Sequence, residues 1–393
     1  MRYPLEPRCS GVILRETAMT RRICYLTGTR ADFGLMSSTL HAIAQDPRLD
    51  LKLLVTGMHL SPRYGHTVDE IEAEGFVIAA RLPVELDDVS AAGMAVNLGR
   101  MLQGFVPALQ AIEPDVLLLL GDRGEMLAGA IAAIHLGIPV AHLHGGERSG
   151  TVDEPVRHAI SKLSHLHFVA TQEARDRLVR MGEQSMHVHV VGAPGVDDLV
   201  DTKRPDRSAL CLTAGFDPAK PIGLLVYHPV LQEAIDADRQ VSEIISAAEG
   251  IQVLALMPNS DAGSEAVRRQ LTEAAATGRV VLRTHLHREE YIGWLSCCDV
   301  LLGNSSSGII EAASFGTPVV NIGSRQNLRE RNANVLDVPA KLNDVRTALV
   351  DSLAHGRYPP FNVYGDGQAG RRVVELLATT PLTPDLMAKC NAY

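Results

Sequence analysis

Aromatic side chains are scarce in this chain, at 4% of its 393 residues with a single Trp. A protein that grips single-stranded nucleic acid by stacking bases on rings needs more of them. Basic residues are also outnumbered: 37 Lys and Arg stand against 46 Asp and Glu, for a net charge of −9. That balance argues against nucleic acid or an acidic membrane surface as the main partner, and any bound anion then needs a local cationic pocket. Long apolar runs are missing, and nothing approaches the roughly 20 residues a membrane span requires. The cysteines Cys9, Cys24, Cys211, Cys297, Cys298 and Cys390 include no CxxC pair and no Cys/His ligand spacing. Neither a structural zinc site nor a disulfide framework is indicated. The opening MRYPLEPRCSGVILRETAMT lacks the apolar core of a signal peptide. A second Met, Met19, stands just before Arg21-Arg22 and a strand, so residues 1–18 are expected to be a disordered extension or an upstream start. A cytoplasmic protein is expected.

What is present is an ordinary globular composition, 46% hydrophobic and 21% charged, long enough for two cores. Short apolar runs alternate with amphipathic stretches, the pattern of an α/β fold with parallel strands. Expected strands are Ile23–Thr27, Leu51–Thr56, Val116–Leu120, Val140–Leu143, Phe168–Ala170 and Val188–Val191. The polar stretch Asp201–Asp206 interrupts them, and the alternation restarts with Ile222–Tyr227, Ile251–Leu256, Val280–Arg283, Val300–Leu302 and Pro318–Ile322. Two Rossmann-like domains with a cleft between them follow, over residues 19–200 and 207–370, with a helix and tail at 371–393 that packs back on the first domain. Ligands on such sheets sit beyond the carboxyl ends of the strands, so the βα turns carry the information.

The first turn, Gly28-Thr29-Arg30-Ala31-Asp32, is not a GxGxxG. Arg30 there either holds a phosphate at a helix N-terminus or pairs with Asp32. Asp122, between Gly121 and Arg123 at the end of a leucine-rich strand, either faces a ligand or caps the next helix. The strand Val140–Leu143 runs into His144-Gly145-Gly146-Glu147 and on to Asp153-Glu154. His142 and His144 could bind a metal, but the loop offers no HExxH-type geometry, so no metal is assigned. Carboxylates packed together repel, so at least one should have a raised pKa suited to proton transfer. In the second half, His228, Asn259 and His285 stand just beyond strand ends. Gly303-Asn304-Ser305-Ser306-Ser307-Gly308 makes an anion cradle without the Lys of a P-loop, ahead of an expected helix Ile309–Ser314 that carries Glu311. Arg325 is a further candidate phosphate ligand.

Together these segments resemble the hydrolysing UDP-N-acetylglucosamine 2-epimerases of the bacterial sialic-acid branch. The resemblance rests on GTRADFG from Gly28, TGMHLSPRYGHTVDEI from Thr56, GDR from Gly121, HLHGGERSGTVDEPVRHAISKLSHLHF from His142, PNSDAGS from Pro258 and GNSSSGIIEAASFGTPVVNIGSRQ from Gly303. It spans roughly Arg22 to Val338. The resemblance implies the GT-B arrangement of two domains, a nucleotide-sugar substrate, and a homodimer or homotetramer. It further implies that Arg30, His228, Ser305, Ser306 and Arg325 hold the diphosphate and that Glu311 takes the ribose. Asp122, Arg123 and Asp153 would face the sugar, the two Asp as acid/base groups. Human-type relatives carry Glu where this chain has His144, with Glu147 retained, so either His144 or Glu147 takes over a proton-transfer task. Similar loops serve UDP- or GDP-activated N-acetylated sugars, including the 2,4-diacetamido-6-deoxy sugars that lead to legionaminic acid.

The chemistry so implied is departure of the nucleotide from C1 with loss of the C2 proton, then hydration of the resulting 2-acetamidoglucal. It requires no redox cofactor and no metal. Three other readings stand beside it: a non-hydrolysing 2-epimerase, whose loop reads HVEAGLRT rather than HLHGGERS, a GT-B glycosyltransferase, and a non-catalytic nucleotide-sugar sensor.

Overall fold

The computed structural model describes residues 20–392 except 89, 151, 198, 200–202 and 260–262. The extension expected at residues 1–18 lies outside the described residues. Among the described residues, thirteen strands form two sheets, each parallel throughout. In chain order the first seven are β1 (Arg21–Thr27), β2 (Leu49–Thr56), β3 (Ile78–Leu82), β4 (Val116–Leu120), β5 (Val140–Leu143), β6 (Leu166–Val169) and β7 (Val188–Val190). The other six are β8 (Ile222–Val226), β9 (Gln252–Leu256), β10 (Val281–Arg283), β11 (Val300–Gly303), β12 (Val319–Ile322) and β13 (Val335–Val338). The sheets run β3-β2-β1-β4-β5-β6-β7 and β10-β9-β8-β11-β12-β13. In each the chain winds outward in one direction, then returns to lie beside its first strand. Crevices therefore open between β1 and β4 and between β8 and β11, beyond the strands' carboxyl ends.

The central strands read as they do because both their faces are covered by helices. All of β4, VLLLL, is buried, as is all of β8, IGLLV. The two strands that pattern reading does not reveal, β3 and β13, are sheet edges. Their residues are only partly buried or exposed, IAARL and VLDV, so no continuous apolar run marks them. The helix expected at Ile309–Ser314 is also different. One α-helical turn spans Ser306–Ile310, and a tighter 3₁₀ turn, Ala312–Phe315, follows it. Gly316 ends the latter with a φ of 64°.

Glycine is required where β11 meets β8. Gly303 has a φ of 129°, and a Cβ there would lie 2.1 Å from the carbonyl oxygen of Val226. Any side chain would push the two crevice strands apart.

The helix Ala369–Thr379 returns to the first sheet. Its Val373, Val374 and Leu377 share a core with Met36, Leu40 and Ile43 of the helix Arg30–Gln45. Asp197 accepts from the N–H groups of Ala369 (2.9 Å) and Gly370 (2.5 Å), which satisfies donors that open this helix. Beyond it, Lys389 reaches Glu183 at 2.7 Å and Ser161 O at 3.0 Å. Glu183 is buried and also meets Lys162 (2.7 Å) and His167 Nε2 (2.9 Å). Burial alone would raise its carboxyl, but His167, Lys162 and Lys389 outweigh burial and hold it at about 2.

Lys389→Met should therefore destabilise the fold by about 1–3 kcal/mol, between the values for exposed and fully buried pairs, measurable by urea unfolding. Because the folded carboxyl of Glu183 is depressed, its contribution is present at neutral pH. It should disappear as pH falls from the ordinary carboxylate range towards about 2. Glu183→Gln should flatten that part of the acid-stability curve.

Candidate active site

At the end of β1, Thr29 caps the helix Arg30–Gln45 by a reciprocal pair of bonds with Asp32. Asp32 is buried and accepts from the N–H groups of Gly28 (3.1 Å) and Thr29 (2.8 Å). Asp32 is thus a cap, and Arg30 is directed elsewhere. The Arg30 guanidinium donates to Nδ1 of His285, whose Nε2 faces Glu70. Burial lowers the pKa of Arg30, with Glu70 opposing.

Glu70, His285 and His287 bring three donor atoms within 4.8 Å of one another, a spacing that could hold a metal ion. The local sequence did not reveal this group, because Glu70 lies after β2 and the two His lie after β10. The Arg30 cation against His285 opposes a second cation there.

On the second sheet, Asn304 locks the crevice. Its Oδ1 accepts from the His228 N–H at 2.8 Å, and its Nδ2 donates to the His228 carbonyl at 2.7 Å. The Asn259 N–H donates to His228 Nδ1 at 3.3 Å. Ser305 caps the turn Ser306–Ile310, its Oγ accepting from Ser307 N at 3.3 Å. Glu311, buried, pairs with Arg288 at 2.6 Å. A cavity of about 490 Å³ collects these groups, with Arg30, Phe33 and Leu35 on one side and His228, Asn259, Ser305, Ser306 and Glu311 on the other.

The carboxylate loop forms a second cluster. Asp122 does not cap the following helix; that position is Arg123, whose side chain donates to Glu125 at 2.7 Å. Arg157, fully buried in the helix Asp153–Leu163, donates to Asp122 and, at 2.9 Å, to the Glu147 carbonyl. Arg329, from the loop after β12, pairs with Glu147 and lies 3.7 Å from Asp122. His144 has a φ of 59° and places Nδ1 2.5 Å from Glu147 Oε1. His142 is part of the scaffold: its Nε2 donates to Gly121 O at 2.7 Å and its Nδ1 meets Ser161 Oγ at 3.1 Å.

These ion pairs lower Asp122 and Glu147, where crowding was expected to raise at least one carboxylate of the loop. Burial does push Asp122 up, but Arg157, Arg329 and Arg325 outweigh it and hold the group at about 2. Glu147 is likewise held at about 2, where Arg329 and then His144 outweigh burial. Pattern reading counted the carboxylates of the loop. It missed Arg157 and Arg329, which lie 35 and 182 residues away from their partners Asp122 and Glu147.

Asp122, His144, Glu147, Asp153 and Arg325 do not line the cavity, and Arg325 lies between the two groups. Its NH1 donates to Asn304 O at 3.3 Å, and its NH2 lies 3.9 Å from Asp153.

Two doubly wound domains, a cavity where their switch points face each other, and an adjoining carboxylate–histidine cluster define an α/β enzyme of the GT-B type. A family model for UDP-N-acetylglucosamine 2-epimerase matches residues 41–378. The UDP-N,N'-diacetylbacillosamine 2-epimerase (hydrolyzing) of Legionella pneumophila is 51% identical over 95% of this chain and 100% of its own length. The GDP/UDP-N,N'-diacetylbacillosamine 2-epimerase (hydrolyzing) of Campylobacter jejuni is 30% identical over 84% of this chain and 86% of its own. The fold matches the crystal structure of the Neisseria meningitidis UDP-GlcNAc 2-epimerase bound to UDP-GlcNAc. The TM-score is 0.75 at 17% identity, over 91% of this chain and 99% of that one. The chain belongs to the UDP-N-acetylglucosamine 2-epimerase family.

Arg157→Met should leave Asp122 without its nearest buried cation and lower the unfolding free energy by about 3–5 kcal/mol. The double variant Asp122→Asn/Arg157→Met should recover part of that loss, as a double-mutant cycle of denaturant unfolding will show.

Proposed function

We propose that this chain is a hydrolysing 2-epimerase of UDP-N,N'-diacetylbacillosamine, releasing UDP and the free sugar inverted at C2. The observation that carries the reading is the cavity lined by Arg30, His228 and Ser305–Ser306, with Arg325 close by, bonded to the Asn304 carbonyl and 3.9 Å from Asp153. The 51% identity to the Legionella enzyme over its whole length favours the diacetamido sugar over UDP-N-acetylglucosamine.

Arg30, Arg325, His228 and the Ser305–Ser306 turn hold the diphosphate, by charge and by N–H and O–H donation. Asn259 and His285 line the approach to it. Glu311, already set by Arg288, receives the ribose hydroxyls. The C1–O bond breaks and its electron pair leaves on the diphosphate, which the arginines stabilise. The C2 proton moves to a base, and the C2–H electron pair becomes the C1=C2 bond. An acid returns a proton to C2 from the opposite face, water adds as hydroxide at C1, and the proton water gives up restores that acid. Asp122 is kept ionised by Arg157 and Arg329. It supplies fixed negative charge as C1 becomes cationic, with Arg123 beside it. Asp153 and the His144–Glu147 pair remain for the two faces of the ring. The scheme needs no metal or redox cofactor. The reading also includes a cytoplasmic protein that works as a homodimer or homotetramer.

Incubation in deuterated water, followed by NMR, tests the scheme. UDP and a free C2-inverted sugar carrying deuterium at C2 are expected, with activity retained after EDTA treatment and dialysis. An epimer still joined to UDP, or inversion without deuterium, would overturn it.

On the binding side, alanine at Ser305 and Ser306 together, or at Arg325, should weaken UDP binding by about 1–3 kcal/mol by calorimetry. Unchanged affinity would remove these residues from the diphosphate site.

A further inference from the structure

Resting on the function just proposed, we propose that His144 is a proton-transfer group held in place by Glu147, and that Arg329 of the second domain holds Glu147 for that task. Glu147 is 4% exposed, and both its oxygens are in use: Oε1 lies 2.5 Å from His144 Nδ1, and Oε2 accepts from Arg329. With a partner on each oxygen and little exposed surface, this carboxylate is held by His144 and Arg329. It accepts the Nδ1–H of His144 and thereby leaves the imidazole lone pair on Nε2. Among the described residues His144 Nε2 has no hydrogen-bond partner, and the ring sits in a backbone turn with a φ of 59°. Glu147 is therefore a positioning residue.

The cation that holds Glu147 comes from the other sheet. The Arg329 side chain is 8% exposed. The next residue is tied down twice: the Glu330 carbonyl accepts from Tyr364 Oη at 2.9 Å, and the Glu330 carboxyl accepts from Thr171 beyond β6. The charged and titratable groups around the pair are Asp122, Asp153, Arg157, Arg325, Glu330 and Tyr364. Arg329 is the largest of the favourable charges that keep Glu147 ionised against burial. In the elimination, the C2–H proton passes to His144 Nε2 and its electron pair forms C1=C2, while the C1–O pair departs with the diphosphate. The imidazolium so formed faces the Glu147 carboxylate.

The test uses the full-length protein and pH profiles of kcat for Glu147→Gln, Arg329→Lys, Arg329→Met and His144→Glu. Glu147→Gln and Arg329→Met should lower kcat by about 10²–10⁴-fold, with calorimetric UDP affinity within about threefold of wild type. Without the Arg329 cation the Glu147 carboxyl rises, so the acid limb of the Arg329→Met profile should move to higher pH. Arg329→Lys should restore part of both effects. In a His144→Glu background no imidazole tautomer has to be fixed, and adding Glu147→Gln should cost less than tenfold. An equal loss from Glu147→Gln with His or Glu at 144 would overturn the proposal, as would unshifted pH profiles in the Arg329 variants. If Arg329→Met does not fold, the 144/147 cycle and Arg329→Lys still decide the matter. A wild type that places no solvent deuterium at C2 defeats the proposed function itself. A wild type that does so, alongside unshifted variants, defeats this inference alone.

Discussion

Four buried or half-buried charges, Asp122, Glu147, Arg157 and Arg329, form the contact on which the rest of the site depends. Two carboxylates at this distance from water repel each other and would take up protons if left alone. Arg157, from beneath the first sheet's loop, and Arg329, from the second sheet, prevent it. The electrostatics of the first domain's loop are therefore completed by the second domain. A lone removal at such a site leaves an uncompensated buried charge, which is why these side chains act as a unit.

This arrangement separates roles that a count of acidic residues would merge. A carboxylate clamped by arginine is a durable negative charge, and Asp122 is one such. Asp153, partly exposed, lies 3.9 Å from Arg325, on the side of the cluster nearest the cavity loops. His144 adds an imidazole whose Nδ1 is held 2.5 Å from Glu147 Oε1. Position 144 is also where the chain departs from the human-type relatives, and the partnered imidazole gives that substitution a physical meaning.

The nucleotide side is built by a different economy. Asn304 joins the loops after β8 and β11 by two backbone hydrogen bonds. Gly303 lets the same two strands approach closer than any Cβ allows. Together they present His228 and Ser305–Ser306 towards Arg30 across the cavity. The helical turn behind Ser306 is five residues long. The turn can offer an anion individual N–H and O–H donors, since so short a helix adds little macrodipole.

Much of this was legible in the sequence. Buried strands such as Val116–Leu120 announce themselves because both faces exclude water. The turns that end them hold Arg30, Asp122, His144, Ser305 and Arg325, because parallel sheets put their chemistry there. The edge strands β3 and β13 escaped notice because one-sided burial leaves no apolar run. Asp122 and Glu147 were visible as acids, but not the sign of their pKa shifts, since Arg157 sits on a helix interior and Arg329 in a loop without local pattern. The sequence alone thus determined the alternation of elements and the residue types at strand ends, which follow from local periodicity and hydrophobicity. Tertiary structure alone decided which charges face one another, because Coulomb energy depends on distance in space and on exclusion of water, and neither is written in the order of residues.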